Sequence, residues 1–340
     1  MKMIIDAMSG DNAPAEIVAG AVRAHDELGV ELVLVGRESE ISSCLGQRSP
    51  EFEIVNAEEV ITMEDDPSTA TRRKKDASMT VALRMLSEGR GDAVISAGST
   101  GALLTGATLI TGRIRGIRRA ALAPVLPAGE HGVMLIDCGA NVECTPEYLL
   151  QFAFMGSFYA KKILGCEDPK VGLLNVGTED TKGGELQHAA FALLKEASES
   201  GRLNFAGNIE GNDVFAGKVD VVVTDGFTGN VLLKTAEGVI KFMLKELKGI
   251  FYKNTGNKLA AAYLKKDLSS MKKKLDVNEI GGTALLGISK PVIKAHGSSD
   301  AKAFFAAIRQ AKAFAESGII EEIKNNIELM KVKAGTDGST

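Results

Sequence analysis

Residues 219–234 read V-D-V-V-V-T-D-G-F-T-G-N-V-L-L-K, a buried-type strand that runs into a Gly-rich turn opening a helix. Such a turn aims backbone N–H groups at an anion, because the first N–H groups of a helix have no partner within it. Gly226 and Gly229 suit positive φ and close approach, Thr228 and Asn230 add side-chain donors, and Lys234 follows Asn230 by one helical turn. Asp225, just ahead of the first glycine, serves either to orient a donor or to cap the turn. A phosphate or a developing oxyanion fits this set.

The same grammar of strand, small polar turn and helix recurs along the chain. D-A-M-S-G-D-N-A-P at 6–14 offers Asp6, Gly10 and Asn12. S-A-G-S-T-G at 96–101 offers Ser96, Gly98, Ser99, Thr100 and Gly101. D-C-G-A-N at 137–141 offers Asn141, and N-V-G-T-E-D-T-K-G-G at 175–184 offers Asn175, Gly177, Thr178 and Lys182. G-N-I-E-G-N at 207–212 offers Asn208, and a further polar loop, H-G-S-S-D at 296–300, offers His296 and Ser298. In an open α/β sheet, ligands bind at the carboxyl ends of the strands, so loops distant in sequence are expected to meet in one crevice rich in neutral donors.

Composition narrows the chemistry. Forty basic and 44 acidic side chains leave a net charge of -4, aromatics are 5% of 340 residues and Trp is absent, which excludes a basic, base-stacking nucleic-acid binder. Cys44, Cys138, Cys144 and Cys166 have no C-x-x-C spacing and the histidines form no H-E-x-x-H, so no metal site and no cofactor are expected. No G-x-G-x-x-G follows the first strand, which weighs against a dinucleotide-binding dehydrogenase, and no P-loop is present. The amino-terminal residues enter an apolar strand directly, without the regions of a signal peptide, and a cytoplasmic protein is expected.

Positioning these loops calls for alternating strands and helices. Short apolar runs at 2–5, 31–35, 93–96, 132–136, 170–174, 203–206 and 219–224 alternate with helical patterns at 14–28, 76–87, 101–110, 146–164, 186–199 and 229–247. This rhythm predicts an α/β protein with a mostly parallel, doubly wound sheet and helices on both faces. Residues 1–333 are read as one domain and 334–340 as a frayed tail. Residues 241–274 break the rhythm with ten lysines against two acids, surrounding L-A-A-A-Y-L at 259–264. Two projecting helices are expected there, with Leu259, Ala260, Ala261, Tyr263 and Leu264 at an apolar tip that meets a second subunit, an anionic membrane surface or both.

Taken together, D-A-M-S-G-D-N-A-P, S-A-G-S-T-G-A-L, D-C-G-A-N, G-L-L-N-V-G-T-E-D-T-K-G, V-V-V-T-D-G-F-T-G-N-V-L-L-K and K-P-V-I-K-A-H-G-S-S-D resemble, in order and spacing, the bacterial phosphate acyltransferases (acyl-[acyl-carrier-protein]:phosphate transacylases) of phospholipid synthesis. The resemblance implies a three-layer α/β/α sandwich related to phosphotransacetylases and to isocitrate and isopropylmalate dehydrogenases. It implies transfer of a fatty acyl group from an acyl carrier protein thioester to inorganic phosphate. It also implies a homodimer attached peripherally to the inner face of the membrane, near the downstream membrane acyltransferase. The chain departs from the family's usual pattern at Ser9, Asn12, Ser99 and Cys138; Asn12 stands where a His is usual and cannot titrate near neutrality.

For that reaction, phosphate can be its own nucleophile and no covalent enzyme intermediate is required. Lys182 and Lys234 are the expected cationic partners, Asn208 or Asn230 the oxyanion donor, and Asp225 and His296 the orienting or proton-transferring groups. The basic runs at 72–75 and at Arg113, Arg115, Arg118 and Arg119 are docking candidates for an acidic carrier protein. The rival readings are an NAD(P)-dependent dehydrogenase of related fold and a non-catalytic module binding lipid or carrier protein.

Overall fold

The computed structural model describes residues 1–129, 131–275 and 281–332, except the side chains of 272–274; the expected frayed tail at 334–340 lies outside the described residues. Strands run in chain order as β1 (Lys2–Asp6), β2 (Glu31–Gly36), β3 (Glu53–Asn56), β4 (Ala93–Ser96), β5 (Ala121–Ala123), β6 (Val125–Leu126), β7 (Val133–Ile136), β8 (Val171–Leu174), β9 (Phe205–Ile209), β10 (Val221–Val223), β11 (Thr283–Leu286) and β12 (Val292–Lys294). Among the described residues they form a seven-stranded sheet, β3-β2-β1-β4-β12-β11-β5, and a five-stranded sheet, β6-β7-β10-β8-β9.

The helices are α1 (Ala15–Leu28), α2 (Glu38–Leu45), α3 (Ala70–Arg73), α4 (Ser78–Ser87), α5 (Thr100–Gly106), α6 (Pro146–Tyr159), α7 (Glu185–Glu199), α8 (Gly226–Tyr252), α9 (Thr255–Tyr263), α10 (Lys265–Leu275), α11 (Ala301–Glu316) and α12 (Ile319–Asn325). The period of two in β1 sorts its side chains. Met3 and Ile5 join Ile17 and Ala21 of α1 and Phe304 and Ile308 of α11, while Ile4 joins Met79 and Leu83 of α4 on the opposite face. The smaller sheet is covered likewise: Ile136 and Val223 pack with Phe152 of α6 and Leu194 of α7, and Leu135 and Val222 pack toward Leu232 and Leu233 of α8. The strands are buried on both sides, which is why they read as continuous apolar runs.

The rhythm of the sequence suggests a single sheet; the structure divides it in two and joins the halves through one extended segment. Residues 121–126 pair first with β11 as β5 and then with β7 as β6. Pro124 sits at the change of partner, and its carbonyl accepts from Leu135 N at 2.9 Å while Leu122 O accepts from Cys138 N at 3.0 Å. The antiparallel pairs β11 with β12 and β11 with β5 lack the clean alternation that betrays a hairpin in sequence.

Two local expectations change. Helix α8 begins at Gly226, not Gly229, because the Asp225 side chain caps it, accepting from Thr228 N at 2.9 Å. Neither Gly226 nor Gly229 has positive φ; both are required by close approach. A Cβ on Gly226 would lie 2.6 Å from the Asn141 carbonyl oxygen, and one on Gly229 would lie 2.0 Å from that of Asp137. In the lysine-rich region, L-A-A-A-Y-L is not a turn between two helices: Leu259 to Tyr263 belong to α9, and Leu264 follows as its cap ahead of α10. Lys272, Lys273 and Lys274 lie outside the described side chains.

Gly229→Ala is therefore expected to destabilise the fold by about 1–3 kcal/mol, since backbone must move to admit the methyl group. Gly211→Ala, where a Cβ would meet nothing within 4 Å, serves as the control. Thermal denaturation should give a lowered midpoint for the first and an unchanged one for the second; a wild-type midpoint for Gly229→Ala would mean that α8 does not pack on the 137–141 loop.

Candidate active site

Two carboxylates, each the last polar group after an apolar strand, organise the loops. Asp6 ends K-M-I-I and Asp137 follows V-M-L-I, and both are fully buried. Ser78 and Ser96 hydroxyls donate to Asp6 at 2.6 and 2.5 Å. Ser96 Oγ in turn accepts from Gly98 N at 3.1 Å, which holds the 96–101 loop. Asp137 Oδ1 accepts from the N–H groups of Leu122 and Cys138 at 2.9 and 2.7 Å, and Oδ2 from Asn141 N and Nδ2 at 2.6 and 2.9 Å. Burial raises both carboxyl pKa values, and these hydrogen bonds oppose the rise.

The 6–14 loop interlocks with the 294–300 loop. Asp11 N donates to Gly297 O at 2.8 Å, and Asn12 Nδ2 donates to the carbonyls of Ser298 and Ser299, each at 3.2 Å. Gly10, at φ 113, lies where a Cβ would meet Ala97 at 2.9 Å. Asp6, Asn12 and Asn141 thus spend their side chains on tying loops together, and Ser99 on capping α5. Asp225 gives both oxygens to Thr228, at 2.9 and 2.8 Å, and so acts as the helix cap.

The interlocked loops surround a cavity of 270 Å³ lined by Thr100, Cys138, Gly139, Asn230, Lys234, Glu237, Gly281, Thr283, Lys294 and His296, with Leu122 and Pro124 of the joining segment as an apolar wall. Of the residues singled out in sequence, Thr100, Asn230, Lys234 and His296 meet here. Gly226, Thr228 and Gly229 form the first turn of the helix that carries Asn230 and Lys234. Lys182, Asn208, Asn175, Gly177 and Thr178 do not line the cavity. They cluster at the ends of β8 and β9, on the edge of the smaller sheet beyond β10, where Asn208 Nδ2 donates to Glu179 O at 2.9 Å and Lys182 lies 3.8 Å from Glu179.

Lys294 and Glu237 were not legible as site residues. Lys294 ends the apolar run P-V-I and is 9% exposed, its ammonium donating to the carbonyls of Ala97 and Ala295. A lysine closing a strand ahead of a Gly/Ser loop is the signal that could have found it. Burial pushes it down to about 8, reinforced by Lys234 and opposed by Asp6 and Asp11. Glu237, one helical turn beyond Lys234, pairs with that lysine at 2.9 Å.

His296 is held below its ordinary pKa, first by partial burial and then by the positive charge of Lys234, although solvent reaches its outer edge. Ser298 N donates to its Nδ1 at 3.2 Å, so the neutral ring carries its proton on Nε2 as a donor. Burial pushes the Cys138 thiol up to about 12, with Asp137 adding to the effect, and a thiol of that kind is not a nucleophile near neutrality. Among the described residues the cavity therefore offers two ammonium groups, neutral N–H and O–H donors and no activated nucleophile of its own. That is a receptor for an oxyanion.

The chain matches a family model described as fatty acid synthesis protein over residues 1–322. It is 49% identical over 329 residues to a phosphate acyltransferase from Oceanobacillus iheyensis, covering 96% of this chain and 98% of that one. A phosphate acyltransferase from Anoxybacillus flavithermus is 49% identical over 333 residues, covering 97% and 100%. A phosphotransacetylase structure from Streptococcus pyogenes shares the fold, with a TM-score of 0.62, 18% identity and coverage of 93% of this chain and 94% of that one.

The electrostatics predict how the cavity would respond to an anion such as inorganic phosphate. Lys294 attracts an anion in its charged form, present below its pKa, so affinity should decline as pH rises through about 8. Asp6, Asp11, Lys234 and His296 are the other titratable groups around it. Calorimetric titration should show Lys294→Met binding phosphate about tenfold or more weakly at neutral pH, with the alkaline decline flattened. The same decline persisting in the variant would assign it to another group.

Proposed function

The chain belongs to the phosphate acyltransferase family and is an acyltransferase, and from that premise we propose that it moves a fatty acyl group from an acyl carrier protein thioester to inorganic phosphate. The observation that carries this reading is the meeting of Lys234, Lys294, Asn230, Thr100 and His296 around one cavity beside an apolar wall. A phosphate oxygen attacks the thioester carbonyl, the C–S bond breaks, and the products are acyl phosphate and the carrier thiol. Lys234 and Lys294 hold the phosphate. Asn230 Nδ2 or the His296 Nε2–H faces the carbonyl oxygen as charge develops on it. The neutral imidazole suits orientation better than delivery of a proton from an imidazolium. The high thiol pKa at Cys138 supports direct attack by phosphate over an acyl-enzyme.

Lys182 and Asn208, with Asn175, Gly177 and Thr178, lie at the far edge of the smaller sheet, away from the cavity, and take no direct part in this chemistry. The acyl phosphate would then supply glycerol 3-phosphate acylation in phospholipid synthesis. Neither a dehydrogenase nor a non-catalytic module fits an acyltransferase family.

Helix α8 supports assembly and membrane attachment. Of its 27 residues only Gly226 and Gly229 are buried, while Val239, Phe242, Met243 and Ile250 are exposed apolar side chains. A helix about 40 Å long gains little from such a face unless it is covered, and a second copy of the chain is the proposed cover. Further along, Leu259 and Tyr263 of α9 are 68% and 89% exposed among lysines, which suits an anionic lipid surface. Among the described residues no helix is long and apolar enough to cross a membrane.

Incubation with acyl carrier thioester and phosphate, followed by hydroxylamine trapping, should yield acyl hydroxamate that depends on both substrates; none would refute the reaction. Lys234→Ala should raise the KM for phosphate or abolish turnover, and unchanged kinetics would remove that lysine from the mechanism.

For the membrane, co-flotation with anionic vesicles should be lost at high salt and in Leu259→Asp/Tyr263→Asp, with acyl transfer in solution retained. Flotation of the variant at the wild-type level would place attachment elsewhere.

A further inference from the structure

A second cavity lies beyond the loop that joins β7 to α6. Cys138 and Gly139 at the start of that loop line the reaction cavity, whereas Glu147 and Tyr148 just past its end line a separate space of 810 Å³ with Arg113, Arg118, Arg119, Gln151 and Lys331. The proposed chemistry uses none of these groups. Their arrangement is pinned from below: buried Gln151 accepts from Arg118 N at 2.8 Å and donates to Gly116 O at 2.9 Å, and the Arg113 guanidinium donates to the Arg118 carbonyl. Gly116 holds the turn open at φ 99, and Arg119 lies 5.7 Å from the centre of the Tyr148 ring.

What the turn lacks is counter-charge. Among the described residues no carboxylate forms an ion pair with Arg113, Arg115, Arg118 or Arg119, and Glu147, the one acidic side chain lining the cavity, feels the charge of Arg118 without pairing with it. The other basic run behaves differently. Lys74 is consumed by Asp65 at 2.7 Å and by the Val60 carbonyl at 2.9 Å. Exposed guanidinium groups with no ion-paired carboxylate forfeit little on binding and fit carboxylates well. Its position also matters. Arg119 precedes Leu122, a wall of the reaction cavity, by three residues, about 10 Å of extended chain.

We propose that the acidic face of the carrier that delivers the acyl thioester docks on this arginine-lined cavity, beside the place where its acyl group reacts. The inference rests on the carrier-bound donor of the proposed function and adds where that donor is held. Charge complementarity of this kind acts mainly on encounter and selectivity, and fades as salt rises.

Steady-state kinetics of Arg118→Glu/Arg119→Glu test it, with acyl carrier protein thioester and acyl-pantetheine as alternative donors. The KM for the carrier-bound donor should rise about tenfold or more, while the KM for phosphate and kcat/KM for acyl-pantetheine stay at wild-type values. Added salt should narrow the gap between wild type and variant. An unchanged KM for the carrier, or equal losses with both donors, would overturn the docking site. If the wild-type protein forms no acyl phosphate from either donor, the reaction itself falls, an outcome distinct from failure of docking alone.

Discussion

Burial of Asp6 and Asp137 at the ends of two strands is the constraint on which the site depends. A carboxylate removed from water costs several kcal/mol unless donors surround it, and hydrogen bonds to a charged acceptor return about 1.5–3 kcal/mol each. Both groups meet that demand by recruiting neighbouring loops. Asp6 draws in Ser78 and Ser96, and Asp137 draws in Leu122, Cys138 and Asn141. The geometry of the cavity follows from satisfying two buried carboxyl groups. Losing any one donor would loosen a loop as well as cost a hydrogen bond.

The cavity itself is electrostatically unfinished. Lys234 has Glu237, but Lys294 is surrounded by carbonyl oxygens, with Asp6 committed to hydroxyl donors behind it. The charge of Lys234 adds to burial in lowering Lys294, and it also lowers His296. An arriving phosphate would relieve that repulsion and favour the charged form of Lys294. Binding energy and proton uptake are then coupled, so the cavity is better matched to a dianion than to a neutral ligand.

Much of this was legible in sequence, for identifiable reasons. Strands buried on both faces announce themselves as apolar runs, and strand-end loops rich in Gly, Ser and Asn announce the edge where a ligand sits. The partition into two sheets was not legible, because β5 and β6 are short and share one extended segment whose change of partner at Pro124 leaves no periodic trace. Site residues failed in two ways. Asp6, Asn12 and Asn141 have the right chemistry but spend it on neighbouring backbone and hydroxyl groups, a matter of tertiary contacts. Lys294 has the right position, but its burial depends on the Ala97 carbonyl, brought from a loop almost two hundred residues away in the chain.

The joining segment explains why the cavity sits where it does. Residues 121–126 must pair with one sheet and then the other, and the cleft between the sheets opens along that change of partner, with Leu122 and Pro124 as its apolar wall. Cations and donors come from opposite sides of this seam: Thr100, Lys294 and His296 from the larger sheet, Asn230 and Lys234 from the helix following a strand of the smaller one. The proposed reaction, between a hydrophobic acyl thioester and an inorganic anion, needs both surfaces within bonding distance. A seam between two α/β layers supplies an apolar wall and convergent strand-end loops at once, which neither sheet could provide alone.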